Sequence, residues 1–204
     1  MFTDYSGDIF HAEYKNPGEL DFLFSLGIAI HVDTNGAYLN DAMIERIMAS
    51  PINALNISID AATDETYRSI RIGGPHIDQI FRSAKGLVDA RSKHNRTRSL
   101  SISLSFTLMY TNIHELLVFV RKAAESGVDA VLCRHVEIYH PEMKQESLFF
   151  HKETTILFGM RAFILPITWE STFLWEDHLK IQDLARSSLV LSLGAPQRCS
   201  QTAT

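Results

Sequence analysis

Cysteine is nearly absent from this chain: two in 204 residues, Cys133 and Cys199. Two cysteines so far apart exclude a disulfide framework. Long apolar runs are missing too, and none approaches the roughly 18–20 residues that a bilayer-spanning helix needs. No membrane partner is expected. Charge of one sign is not in excess, with 19 Lys+Arg against 24 Asp+Glu and a net charge of -5. That balance gives no electrostatic reason to expect nucleic acid or an anionic surface as a partner. The basic cluster between Arg91 and Arg98 falls at a predicted helix-to-strand junction and reads as a solvated loop. Residues 1–8 hold neither a basic nor an apolar leader segment, so a reducing, cytoplasmic setting is expected. Internal repeats and low-complexity tracts are absent as well.

What remains is an ordinary globular composition, 46% hydrophobic and 21% charged, long enough for one substantial core. Apolar patterning alternates between strand and helix periods. Strands are predicted over 29–33, 55–59, 100–110, 130–138 and 163–168. Helices are predicted over 40–48 with Asn40 as N-cap, from 63–66 onward, over 78–90, over 113–126 capped by Asn112, and over 145–158. Gly27 and Gly127 read as helix stops. A segment at 177–193 reads as a helix running into a strand. Strands alternating with helices give an α/β fold with a parallel sheet. About five β/α units are too few to close a full barrel, so a partial, open parallel β/α barrel is expected.

The strand over 100–110 is the most legible. Ser99, Ser101, Ser103, Ser105 and Thr107 alternate with Leu100, Ile102, Leu104, Phe106 and Leu108. A period of two places every hydroxyl on one face. That face either lines a wide, wet lumen or belongs to an edge strand open to solvent.

Ligands of parallel β/α folds bind at the C-terminal ends of the strands. There, Asn56, Ser58 and Asp60 share one face of a strand. Asp60 either caps the following turn or accepts hydrogen bonds from a ribose diol, with Ser58 beside it. Thr34-Asn35-Gly36 ends the preceding strand, in a turn whose Gly36 permits positive φ. Arg71 follows the next short helix. It either pairs with Asp64 or Glu65 at the surface or holds a carboxylate bidentately. A rival set is His31 and Asp33 on one strand with Cys133, His135 and Glu137 on another. Pointing inward together, these would form a metal site of a barrel hydrolase. The remaining histidines fall on loops and helix surfaces.

Taken in order, Thr34-Asn35-Gly36, Ser58-x-Asp60, Tyr67 to Arg71 and Asn112-x-x-Glu115-Leu116 resemble the strand-end motifs of the radical S-adenosylmethionine (radical SAM) superfamily. Ser6-Gly7-Asp8-Ile9 is similar to that family's G-E-P turn, with Asp for Glu and Ile for Pro. The resemblance covers residues 6–138. It implies a small-molecule cofactor, S-adenosylmethionine, and a 4Fe-4S cluster held by a C-x-x-x-C-x-x-C loop. That loop is not found in this chain. It also implies that Gly7 and Asp8 meet the methionyl amino group and that Thr34 and Asn35 line the same cavity. Ser58 and Asp60 would hold the ribose region and Arg71 the cofactor's carboxylate. Cys199 resembles the first cysteine of a C-terminal auxiliary-cluster extension of SPASM or twitch type, or is a free thiol. The expectation is a chain truncated at both ends, with residues 1–168 as the partial barrel core and 169–204 as the start of the extension. Alone it would be inactive; its substrate, a peptide or small molecule, is not specified. A cluster-less remnant serving as an interaction module is the alternative.

Overall fold

The computed structural model describes residues 2–3, 7–154 and 189–192. Six strands form one sheet in strict sequence order. They are β1 (Phe2–Thr3), β2 (Ile30–Thr34), β3 (Ile52–Ser58), β4 (Ser101–Leu108), β5 (Ala130–His135) and β6 (Leu189–Ser192). β1 to β5 run parallel, and β6 pairs antiparallel with β5 at the edge. The order decides the architecture. Each right-handed crossover advances one strand in the same direction, so the connecting helices gather on one face. A doubly wound sheet would reverse its order and carry helices on both. One face here is therefore left for a lumen, as in an open, partial β/α barrel.

The helices are α1 (Ile9–Lys15), α2 (Glu19–Ser25), α3 (Asp41–Met48), α4 (Asp64–Ile70), α5 (Ile77–Lys93) and α6 (Leu116–Ser126). Their ends follow local chemistry. Asn40 Oδ1 accepts from the Met43 amide at 2.9 Å and starts α3. Thr63 Oγ1 accepts from the Thr66 amide and starts α4. Gly127 ends α6 in the left-handed conformation that glycine adopts without a Cβ clash. The apolar stripe of α5, Ile77, Ile80, Phe81, Ala84 and Leu87, is buried against the sheet's outer face. That face carries Ile30, Val32, Leu55, Ile57, Ile102, Leu104, Phe106 and Val131, all buried. Phe119 of α6 lies 4.9 Å from Phe106, ring centre to ring centre, and fixes α6 over β4.

Three expectations are corrected. Asn112 does not cap a helix with its side chain; a 3₁₀ turn, Ile113–Glu115, intervenes before α6. β5 stops at His135, which leaves Glu137 outside the strand. The described part of 145–158 begins with 3₁₀ turns, Pro141–Glu146 and Leu148–Phe150. Its apolar residues Leu148, Phe149 and Phe150 are consecutive, so no helix face can bury all three, and only Leu148 is buried. Finally, β1, α1 and α2 carry no expectation from periodicity; α1 is set by Asp8, whose Oδ1 accepts from the Phe10 amide at 3.0 Å. The predicted strand at 163–168, most of the segment at 177–193, and Cys199 lie outside the described residues.

Candidate functional site

The polar face of the sheet is cross-linked strand by strand. Asp33 on β2 accepts from Asn56 Nδ2 on β3 at 2.7 Å. Asn56 in turn accepts from Ser103 Oγ at 3.2 Å, and its Nδ2 also reaches Ser105 Oγ at 3.2 Å. Ser105 Oγ donates to Ser58 Oγ at 3.1 Å. The register puts these groups side by side, with Asp33 opposite Asn56, Asn56 opposite Ser103, and Ser58 opposite Ser105. A pocket of about 190 Å³ opens over this row, and Thr107, Leu132 and Arg134 complete its wall. The hydroxyl face of β4 therefore lines a wet lumen. The second carboxylate oxygen of Asp33 has no hydrogen-bond partner among the described residues and faces a pocket that could use it.

Two turns sit at the C-terminal mouth of this lumen. In the first, Asp8 Oδ2 accepts from Thr34 Oγ1 at 2.8 Å and from the Asn35 amide at 3.0 Å. Thr34 Oγ1 accepts from the Gly36 amide at 3.1 Å, and Asn35 Oδ1 from the Ala37 amide at 2.8 Å. Gly36 takes φ +78° under Ile57 and Ile80, which leave no room for a Cβ. One carboxylate thus joins the Gly7-Asp8 turn to the Thr34-Asn35-Gly36 turn, four of the seven site residues picked from sequence.

In the second turn, Asp60 adopts φ +64°, a conformation uncommon outside glycine. Its Oδ1 accepts from the Thr107 amide at 2.6 Å. Its Oδ2 accepts from Arg71 Nε at 3.1 Å and from a terminal nitrogen of Arg71 at 2.5 Å. Asp60 is buried, whereas the Arg71 side chain is 30% exposed. Arg71 is thus paired with Asp60, not with Asp64 or Glu65. Asp64 instead pairs with Arg68.

Asn112 and Glu115 hold this second turn from beneath. Asn112 Nδ2 donates to the Asp60 carbonyl at 2.8 Å and to the Thr107 carbonyl at 2.7 Å. Glu115 accepts from the Ala62 and Thr63 amides at 2.6 and 3.1 Å and from the Thr63 and Thr66 hydroxyls at 2.5 and 2.7 Å. Burial pushes the Glu115 carboxyl pKa up, but the four hydrogen bonds outweigh it and hold it below its ordinary value. Sequence reasoning placed both residues in a motif but missed what they grip.

The rival metal set does not assemble. Cys133 lies opposite Phe106 and His135 opposite Leu108, on the parity of β5 that packs against the helices. His31 and Asp33 share the parity of Asn56, on the lumen side. The two halves lie on opposite faces of the sheet, and Glu137 lies beyond the strand. Among the described residues no group of three His, Cys, Asp or Glu could hold a metal ion. Cys133 is 1% exposed, and burial pushes its thiol pKa up to about 12. A neutral thiol in an apolar core does not suit a cluster ligand, and a 4Fe-4S cluster takes several thiolates. The described residues do not fit that cluster. They do fit a nucleoside with a charged head: the Ser58 hydroxyl is on the pocket wall, and the Arg71 guanidinium and the Asp8-held turn lie at the neighbouring strand ends.

No protein-family model matches the sequence, and neither does any curated protein. Among solved structures the chain is similar to TYW1, solved with a lysine-pyruvate adduct bound. The TM-score is 0.50 at 18% identity, over 73% of this chain and 46% of that chain. It is also similar to HemN, the coproporphyrinogen III oxidase of Escherichia coli and a radical SAM enzyme. There the TM-score is 0.46 at 16% identity, over 72% of this chain and 37% of that one. What the chain shares with TYW1 is the fold. It spans less than half the length of either solved chain.

Proposed function

We propose that this chain forms the S-adenosylmethionine-binding section of a radical SAM protein. The observation that carries this reading is the convergence of the motif residues on one rim. Gly7, Asp8, Thr34 and Asn35 form one turn cluster at the end of β2, Ser58, Asp60 and Arg71 the next at the end of β3, and Ser58 is the one of them that lines the pocket. In this family the cofactor supplies a 5′-deoxyadenosyl radical once reduced. The residues present here do not fit the cluster that reduces it, so no electron-transfer step is assigned to this chain.

Its own residues bind and orient. The Ser58 hydroxyl is half-buried on the lumen face, within reach of a ribose hydroxyl. Asp60 uses both oxygens internally, and its part is to hold Arg71 by two donors. The guanidinium keeps its remaining N–H groups for a carboxylate. Asp8 keeps the first turn in shape, so that the backbone around Gly7 can meet an amino group.

Isothermal titration with S-adenosylmethionine tests the reading. Ser58→Ala is expected to weaken binding about five- to tenfold, the loss of one hydrogen bond. Asp60→Ala is expected to weaken it further by freeing Arg71. Absence of binding by the native chain overturns the proposal; native-like affinity in Asp60→Ala overturns the assignment of that pair.

A further inference from the structure

Among the described residues, the arginines that lie against the fold are anchored, with one exception. Arg46 pairs with Glu13 and Asp21, Arg68 with Asp64, Arg71 with Asp60, and Arg91 with Asp129. Arg96 donates to the carbonyls of Ile47, Met48 and Ile52. Arg134 is different. It sits inside β5 on the lumen parity, lines the pocket and is exposed, with no ion-pair partner among the described residues. Arg82, Arg98 and Arg121 are exposed as well but lie outside the pocket wall.

The register sets where Arg134 acts. It is opposite Thr107, whose amide holds Asp60. Arg134 therefore stands about 10 Å, two strand spacings, from the Asp60–Arg71 turn, at the same height in the barrel. Asp33 is opposite Asn56, Ser103 and hence Ala130, four residues lower on β5. Three strand spacings and four residues separate their backbones, about 14 Å across and about 13 Å along. Asp33 makes no ion pair with Arg134 across the pocket, and the guanidinium has no acidic partner among the described residues.

We propose that Arg134 is the substrate-recognition residue of this lumen and takes a carboxylate of the substrate, beside the cofactor position proposed above, on which this inference rests. A planar guanidinium matches a carboxylate through two parallel N–H donors. A single arginine balances one negative charge and leaves the second charge of a phosphate dianion unmatched. The substrate class is therefore a small molecule or peptide with a singly charged carboxylate near the reacting centre, while the Asp33 end of the lumen takes a hydrogen-bond donor or cationic group.

The test uses the ¹⁵N-labelled chain and follows the Arg134 Nε–H and Thr107 amide resonances. The probes are N-acetylglycine, its uncharged amide N-acetylglycinamide, and inorganic phosphate. Saturable shifts with N-acetylglycine, none with the amide, and their loss in Arg134→Gln with an otherwise native spectrum are expected. Arg134→Lys is expected to retain a response that saturates at several-fold higher concentration. Equal responses to acid and amide, or persistence in Arg134→Gln, would overturn the site. Saturation by phosphate at tenfold lower concentration would overturn the carboxylate assignment. Isothermal titration with S-adenosylmethionine separates the two readings. Affinity within twofold of native in Arg134→Gln supports a substrate role. A tenfold loss moves Arg134 into the cofactor site and overturns the inference while leaving the proposed function intact. A native chain that binds no S-adenosylmethionine yet answers to N-acetylglycine defeats the proposed function and leaves the carboxylate site standing.

Discussion

Removing Glu115 should loosen the turn that carries Asp60, by an amount the structure allows to be worked out. The carboxylate is 5% exposed and accepts four hydrogen bonds, two from amides and two from hydroxyls. Thr63 is exposed, so water can replace Glu115 at its amide and hydroxyl. Ala62 and Thr66 are buried, so their donors would be stranded. Each stranded donor costs about 1–3 kcal/mol. Glu115→Ala should therefore destabilise the chain by about 2–6 kcal/mol. Glu115→Gln keeps the shape, and the threonine hydroxyls can rotate to accept from its amide, so it should lose only the charge-assisted part, about 1–2 kcal/mol.

Urea unfolding of the native chain and both variants gives these differences, and hydrogen exchange at the Ala62 amide localises them. A cost below about 1 kcal/mol for the alanine, or equal costs for alanine and glutamine, would refute the reasoning. The pH dependence is a second check. The folded-state pKa of Glu115 is lowered from an ordinary value of 4.5. Its stabilisation is therefore complete above about pH 4.5 and is lost as pH falls through the lower folded value. The gap between native and Glu115→Gln should be widest at neutral pH and narrow on acidification.

Two further outcomes are expected. Gly36→Ala places a Cβ 2.9 Å from Ile80 Cγ2 and 3.2 Å from Ile57 Cγ2, at φ +78°. Strain and overlap together should cost about 2–4 kcal/mol, and an unfolding midpoint unchanged in urea would contradict the packing described. Cys133, with its thiol pKa pushed up to about 12, should resist iodoacetamide at pH 8 in a Cys199→Ser background and react only once denaturant is added. Rapid labelling of the native chain, read by intact mass, would contradict its burial.

The elements that could be read from sequence are those whose local and tertiary demands agree. β4 alternates cleanly because one face packs on α6 and the other meets water. Asn40 and Thr63 cap helices because their side chains need only the amides three residues on. Asn112 looks the same in sequence, but its side chain is drawn to the Asp60 and Thr107 carbonyls, and the cap is lost to a longer-range demand. α1 stayed hidden, and α2 showed only through its Gly27 stop, because each has only seven residues and ends on contacts made elsewhere. One such contact is Glu13, which pairs with Arg46 and accepts from the Gly18 and Leu20 amides.

The site shows the same division more sharply. Which residues of β3 and β4 share a face follows from the period of two. The parity of β5 does not, because both parities begin with small or apolar residues: Ala130 and Leu132 on one, Val131 and Cys133 on the other. Cysteine and histidine at 133 and 135 invite the choice that turns Arg134 outward. Register settles it: Cys133 lies opposite Phe106, whose ring packs on Phe119, so the metal-like pair is committed to the core and Arg134 to the lumen. A one-residue slip would exchange the two sets. The chemistry of this pocket thus depends on a packing decision made on the other side of the sheet, where the large ring of Phe106 fixes which way β4, and through it β5, must face.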